Sequence, residues 1–525
     1  MNDKLLWLAV FVGFYWLYCL FWGIKGAKTS KTSEDYFLAG RNIGLWVFVL
    51  AATATSFSGW TFVGHPGKIF TDGLPYAFAS FYALTIPFTG VLFIRRQWIL
   101  GKAYKYITPG EMYSDYYGGN AIRFLTVLVA FLFSVPYLGV QLRASGDLFN
   151  IITDGLVPVN FGMIALSTVV VIYVASGGLR SVAYVDSAQC ILLAVGICVI
   201  GITTIYFSGG WNNFISAFHE VVNKDLVNKN NLTPSGHSSL VAIPGSIQFV
   251  SNGSKSIGGP WTGMMCLTYM FALMGIQASP AFSMWAFSNK NSSAFRWQQV
   301  VASSLIIGII LFTFTIIQGI GGHVLVLNDV IQNVNDKNLV PKLINLLSSS
   351  FPWLVGLLAV CALAAMQSTG SGYMSTFSAM VIKDIYLKFL NKNASDKNQK
   401  NSGRLIVILI AIIAIFVAAN TTSAIVMLGG LAVAYGFQMY PALLGICYFK
   451  WFSTRGVVFG LIAGLITVTL TDKTSIWFGL PWGSYPLTIH SAGWGIFVNL
   501  VVTITISFFI KSMFFKLFFD RAVKS

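Results

Sequence analysis

Long apolar stretches alternate with short polar runs from one end of this chain to the other. About 20 apolar residues carry a helix across a bilayer, whereas a membrane β-barrel is built from alternating segments of roughly ten. The pattern predicts an all-α polytopic membrane protein of about 13 transmembrane helices, near 4–24, 43–66, 75–95, 121–148, 160–177, 183–207, 262–287, 298–325, 352–382, 404–420, 423–448, 456–472 and 490–512. No small-residue cleavage site follows the first stretch, so a retained helix is expected there rather than a signal peptide.

Three of these spans are not uniformly apolar. The second contains TSFSGWTFVGHPG (55–67). Gly costs about 1 kcal/mol and Pro about 3 in a helix interior, and backbone left unpaired in hydrocarbon costs more. Such a stretch is either a kink with a small-residue packing face or a broken helix beside a polar cavity. The seventh span, CLTYMFALMGIQASPAFSMWAF (266–287), places Gly275, Gln277, Ser279 and Pro280 in mid-membrane. The two breaks lie five spans apart, the spacing of an inverted-repeat transporter. The expected organisation is an N-terminal extra helix and loop (1–42), a first five-helix repeat (43–207), an outer loop (208–261), a second repeat (262–448), and two C-terminal helices with a short tail (449–525).

The ninth span, AAMQSTGSGYMSTFSAMVIKDIY (364–386), is rich in hydroxyls, with Ser371, Ser375 and Ser378 on one face. Most can bond back to their own helix, but the adjacent pair Ser368–Thr369 stands out. Neutral carbonyls and hydroxyls suffice for a weakly held monovalent cation. Carbonyls freed between Ala54 and Phe57, together with Ser368 and Thr369, make a plausible sodium site without a carboxylate.

Charge sets the orientation. The formal net charge is +16, and with the N-terminus outside, 24 of the 33 Lys and Arg residues fall in inward segments and 8 in outward ones, Arg143 lying within a span. This positive-inside bias predicts a cytoplasmic C-terminus and removes any need for a nucleic-acid partner. The six cysteines fall within or at the end of spans, with neither disulfide nor metal spacing. No segment is long enough for a soluble catalytic module, so the chain is not expected to be an enzyme.

The segments DYFLAGRNIG (35–44), SGWTFVGHPGKIFTDG (58–73), GGLRSVAYVDSAQ (177–189) and 364–386 resemble, in order and spacing, the sodium:solute symporter family. The resemblance implies a LeuT-like fold of two inverted five-helix repeats, sodium-driven alternating access at the plasma (inner) membrane, and no cofactor beyond Na⁺ as the coupling ion. It implies sodium ligation by the carbonyls of Ala54, Phe57 and Ala365 and the hydroxyls of Ser368 and Thr369, with Asp186 on the inward sodium path. The residue reading of Asp186 is a helix-start aspartate paired with Arg180. Ser56 stands where proline transporters of the family carry an aspartate, and neither Ala272 nor Ile276 is aromatic as theirs are.

Candidate solute contacts are Ser58, Trp60 and Gly64 at the first break, Gln141 and Arg143 in the fourth span, Gln277, Ser279 and Pro280 at the second break, and Gln438 in the eleventh span. Aromatics and amides suit a small polar solute with an apolar part. Arg143 is either an i,i+4 partner of Asp147 or a clamp on a solute carboxylate, the latter predicting an amino acid or monocarboxylate. The protein is expected to work as a monomer. Rival readings are a transporter-like sensor with a separate signalling partner, a channel, and a proton-coupled carrier using His65.

Overall fold

The apolar stretches fold as helices throughout a computed structural model that describes residues 3–524, other than 80, 230, 231, 234, 235, 244–259, 421–424, 473 and 475–484; the side chains of 82, 83, 85–89, 425, 426 and 512–524 are also outside the description. The principal helices are α1 (Asp3–Thr29), α2 (Leu45–Ser56), α3 (Trp60–Asp72), α4 (Tyr82–Tyr104), α5 (Pro109–Tyr117), α6 (Ala121–Ile152), α7 (Val159–Phe207), α8 (Trp211–Asn228), α9 (Gly263–Ala278), α10 (Pro280–Ser288), α11 (Ala294–Leu327), α12 (Leu339–Ser348), α13 (Pro352–Leu390), α14 (Asp396–Asn420), α15 (Met427–Cys447), α16 (Thr454–Thr471) and α17 (Ser491–Lys524). Among the described residues the only β pairing is two isolated bridges.

Among the described residues nine helices are long and apolar enough to cross a membrane, or up to eleven when the bent pairs α2/α3 and α9/α10 each count as one span. The fifth and sixth predicted spans appear as one 49-residue element, α7, broken at Gly178 with φ 61° and ψ −152°. A Cβ there would lie 2.1 Å from the Tyr36 carbonyl oxygen, so both the backbone conformation and the close approach demand glycine. The third predicted span is displaced: the apolar window ends at Arg95, but the helix continues to Tyr104 through Arg95, Arg96 and Lys102. The expected loop 383–403 is also shorter than predicted, since α13 runs on to Leu390 and α14 starts at Asp396. The outer loop is not wholly irregular; it contains α8, while its 244–259 stretch falls outside the described residues.

The core is largely apolar, but the outer surface differs from that of a soluble protein. Large apolar side chains such as Phe14, Phe161 and Phe416 face outward, while many Ser, Thr and Gln side chains are buried. This is the arrangement lipid favours. α13 lies at the centre, its Ala364–Thr376 stretch wholly buried, and packs against α1, α6 and α7. α1 is peripheral, presenting Leu8, Val12, Tyr15, Cys19, Gly23 and Gly26 inward along one stripe. Capping boxes formed by Thr32 with Asp35 and by Thr108 with Glu111 start the short helices on the loop between α1 and α2 and on the loop before α6.

Candidate functional site

The first break is made by amides that leave the helical ladder. In a continuous helix the N–H groups of Ser58, Gly59 and Trp60 would donate to the carbonyls of Ala54, Thr55 and Ser56. Here Ser58 N donates to Thr61 Oγ1 (2.8 Å), Gly59 N to Gln141 Oε1 (2.9 Å) and Trp60 N to Ser58 Oγ (3.1 Å). Phe57 takes extended geometry (φ −116°, ψ 122°) as the cap of α2. The chain then re-enters helix with wide π turns over Trp60–Gly64, bent by 53° from α2. The polar groups of TSFSG thus stabilise the break and leave backbone oxygens free to act.

Those oxygens meet α13. Ser368 Oγ donates within 3.1 Å of the Ala54 carbonyl and lies 3.2 Å from the Ala365 carbonyl. Thr369 Oγ1, next in the chain, is buried without a hydrogen-bond partner. A buried hydroxyl lacking a partner costs about 1–3 kcal/mol, and a cation would relieve that cost. Four of the five residues expected to bind sodium therefore lie at one junction of α2 and α13, and Phe57 caps the same end of α2. One helical turn along α13, Ser371 Oγ lies 2.9 Å from the Ser368 carbonyl and 3.0 and 3.3 Å from the two carboxylate oxygens of Asp186. Asp186 is fully buried. Arg180 pairs at 4.0 Å with Asp35 instead, and among the described residues no ion pair includes Asp186.

Around the other side of the break stands an aromatic wall. Trp60 is fully buried, with its ring edge-on to Tyr269 at 6.4 Å. A Cβ on Gly429 would touch both Trp60 and Tyr137. Tyr137 OH lies 3.3 Å from Ser58 Oγ, and Gln141 donates to the Tyr137 carbonyl while accepting from Gly59. Ser58, Trp60 and Gln141 are thus together, and Gly64 closes the π segment beside them.

The remaining expected contacts lie elsewhere. Gln277 accepts from Gln299 (3.2 Å), which also bonds Gln298; Gln298 in turn donates to Ser303 (3.0 Å), and Ser303 contacts Thr53 (3.0 Å). Ser279 turns back on its own helix, its hydroxyl donating to the Ile276 carbonyl at 2.6 Å, and Pro280 starts α10. Gln438 faces the C-terminal helices: Asn499 Nδ2 donates to its carbonyl (2.9 Å) and lies 3.2 Å from its Oε1. Arg143 is engaged by Asp147 (Nε to Oδ2, 3.3 Å), the i,i+4 arrangement. His65 Nδ1 sits 3.0 Å from Thr315 Oγ1, fully buried.

Several participants were not singled out from sequence. Tyr137 is four residues before Gln141 and so shares its helix face, a signal that was available. Gln189, Gln367 and Tyr15 form a buried hydrogen-bonded group joining α7, α13 and α1 beside Asp186. The tertiary pairing of Tyr15 with the others has no local signature.

The sodium:solute symporter family model matches residues 36–464. The chain is similar to the osmoregulated proline transporter OpuE of Bacillus subtilis (strain 168), at 25% identity over 479 residues and 89% of each chain. It is also similar to the sodium/proline symporter of Escherichia coli (strain K12), at 24% identity over 469 residues, 87% of this chain and 86% of that one. Among solved structures it resembles a Na⁺-coupled sialic acid symporter in a substrate-bound outward-open state (TM-score 0.72, 17% identity, 95% of this chain and 97% of that one). It also resembles Mhp1, a nucleobase-cation-symport-1 family transporter (TM-score 0.50, 11% identity, 91% and 94%). At these identities the structural likeness speaks to the fold, which is LeuT-like. The protein is a multi-pass membrane transporter rather than an enzyme, it moves a small solute together with Na⁺, and it belongs to the sodium:solute symporter family.

Proposed function

We propose that the chain imports a small amino acid, with proline the first to be tested, down an inward sodium gradient. The names of its relatives support the solute class. The observation that carries the mechanism is the junction of Ala54, Ala365, Ser368 and Thr369, where the Ser368 hydroxyl meets a carbonyl at the first break and the Thr369 hydroxyl, next in the chain, is buried without a hydrogen-bond partner. Sodium completes this shell. Asp186, linked to the shell through Ser371, offers the next negative charge on the way in, since a buried carboxylate without a cationic partner favours a passing cation. The solute lies against Trp60, Tyr137 and Ser58, so both ligands touch the same break and each orders it for the other. Binding of either then raises the affinity for the other.

Arg143 is held by Asp147 in this conformation, so the carboxylate of the solute rests on the relatives' names rather than on that guanidinium. The sequence rules favour an N-terminus outside, thirteen crossings and two inverted repeats, 43–207 and 262–448, each opening with an interrupted helix. A monomer suffices for this scheme. His65 is buried against the Thr315 hydroxyl, and the names of the relatives favour sodium over proton coupling.

The test is uptake of labelled L-proline into proteoliposomes under an inward Na⁺ gradient, with K⁺ as the control. Uptake in sodium and not in potassium supports the reading. Equal uptake in both refutes sodium coupling, and sodium-driven uptake of another amino acid in preference to proline corrects the solute.

A further inference from the structure

A cavity of about 420 Å³ opens at the end of α1, between α1, the start of α2 and the part of α7 that follows Gly178. Its volume falls within the roughly 300–1,000 Å³ of ligand pockets. None of the residues assigned above to the ion or solute lines it.

The walls have one chemical character. Trp22 and Tyr184 stack with ring centroids 4.3 Å apart and planes 4° apart. The Lys25 ammonium lies 4.5 Å over the Trp22 ring, and Arg180 enters from α7, its Nη2 donating to the Ala39 carbonyl at 3.1 Å. Asp35, 4.0 Å from Arg180, is the carboxylate beside them, so the two cations outnumber it. Gly44 and Val47 also line the cavity. α2 starts at Gly44 with no side-chain cap and no acid in its first turn, which leaves the positive end of its dipole and its first amides at this wall. Tyr184 of the cavity wall is itself exposed, and so are Ile24 and Trp46, the chain neighbours of the lining residues Lys25 and Val47, as expected where a protein meets acyl chains.

We propose that this cavity binds the headgroup of an anionic phospholipid, with its phosphate between Lys25 and Arg180 at the start of α2 and its acyl chains over Ile24, Trp46 and Tyr184. The exposed apolar mouth commits the site to a lipid over a soluble phosphate. On the proposed orientation the lipid comes from the cytoplasmic leaflet, where anionic headgroups attract basic juxtamembrane residues. The bound lipid fastens α2, the inner half of the first interrupted span, to α1 and α7.

Native mass spectrometry of the detergent-purified full chain tests the site, and in detergent it does so whatever the orientation or the solute. Phosphatidylglycerol should be retained in preference to phosphatidylcholine. Lys25→Gln, at an exposed position that spares the fold, should lower that retention roughly fivefold, the effect of one basic contact with an anionic surface. Lys224→Gln, which removes an exposed lysine on α8, past the far end of α7 from the cavity, should leave it unchanged. Equal retention of the two lipids, or equal losses from the two substitutions, would overturn the proposal. Displacement of the lipid by millimolar glycerol 3-phosphate would overturn the lipid source in favour of a soluble anion.

Discussion

The two interrupted helices bend by comparable angles, 53° and 43°, yet they dispose of their freed polar groups in different ways. At the first break, three amides go to side chains, and the Ala54 carbonyl turns to a hydroxyl on α13. At the second, Ser279 closes its own gap through Ile276, while Gln277 joins a string of buried amides that ends at Thr53. Gly275 lets α9 press on the backbone of α15, where a Cβ would come within 2.2 Å of the Val433 carbonyl oxygen. The first break therefore aims a freed carbonyl at the hydroxyl-rich face of α13, whereas the second keeps its spare capacity on amides, with Gln277 Nε2 and Gln299 Oε1 buried without hydrogen-bond partners. A break in a membrane helix is a binding site only to the extent that its donors and acceptors remain unmatched.

Substitutions can separate the two. Ser368→Ala removes the hydroxyl nearest the Ala54 carbonyl. The sodium concentration for half-maximal uptake should rise up to about 100-fold, since a hydrogen-bonding contact to a charged group is worth about 1.5–3 kcal/mol; an unchanged sodium dependence would place the ion elsewhere. Trp60→Ala deletes the main apolar surface at the same break. Solute affinity should fall by roughly tenfold or more at saturating sodium, in line with about 1.5–3 kcal/mol for a buried large side chain. If apparent solute affinity is unaltered in transport assays, the solute does not rest on this wall.

Gln277→Ala addresses the second break. Thermal stability should drop by the equivalent of about 0.5–1.5 kcal/mol, the net worth of one hydrogen bond, since Gln299 keeps its bond to Gln298, while the sodium dependence shifts less than about threefold, within the range of indirect effects. A sodium shift as large as that of Ser368→Ala would erase the distinction between the breaks. Gln438→Ala should give the smallest effect, a slight destabilisation from its lost contact with Asn499 and no change in proline or sodium affinity.

The sequence was most informative where a local feature had to conflict with its surroundings. Ser, Gly and Pro in an apolar span mark both breaks, and the Ser368–Thr369 pair marks the buried face of α13. Solute contacts were less legible, because a Gln in a membrane span reads alike whether it faces a cavity or another amide. Gln277 and Gln438 turned to Gln299 and Asn499, partners 22 and 61 residues away. Arg143 was legible as a pair with Asp147, since i,i+4 spacing settles it locally. The break at Gly178 has no local signature beyond a boundary between spans, because the close approach that requires glycine comes from Tyr36, on a short helix distant in sequence.

Thr369 gives the most direct measurement. Its hydroxyl is buried with no hydrogen-bond partner, so Thr369→Ala removes the proposed sodium ligand without breaking a protein hydrogen bond. Direct ²²Na⁺ binding to the purified variant should be at least about tenfold weaker, the lower end of what a charge-assisted contact contributes, with thermal stability in sodium-free buffer unchanged or raised. Wild-type ²²Na⁺ affinity in Thr369→Ala would contradict the assignment of the ion to the first break.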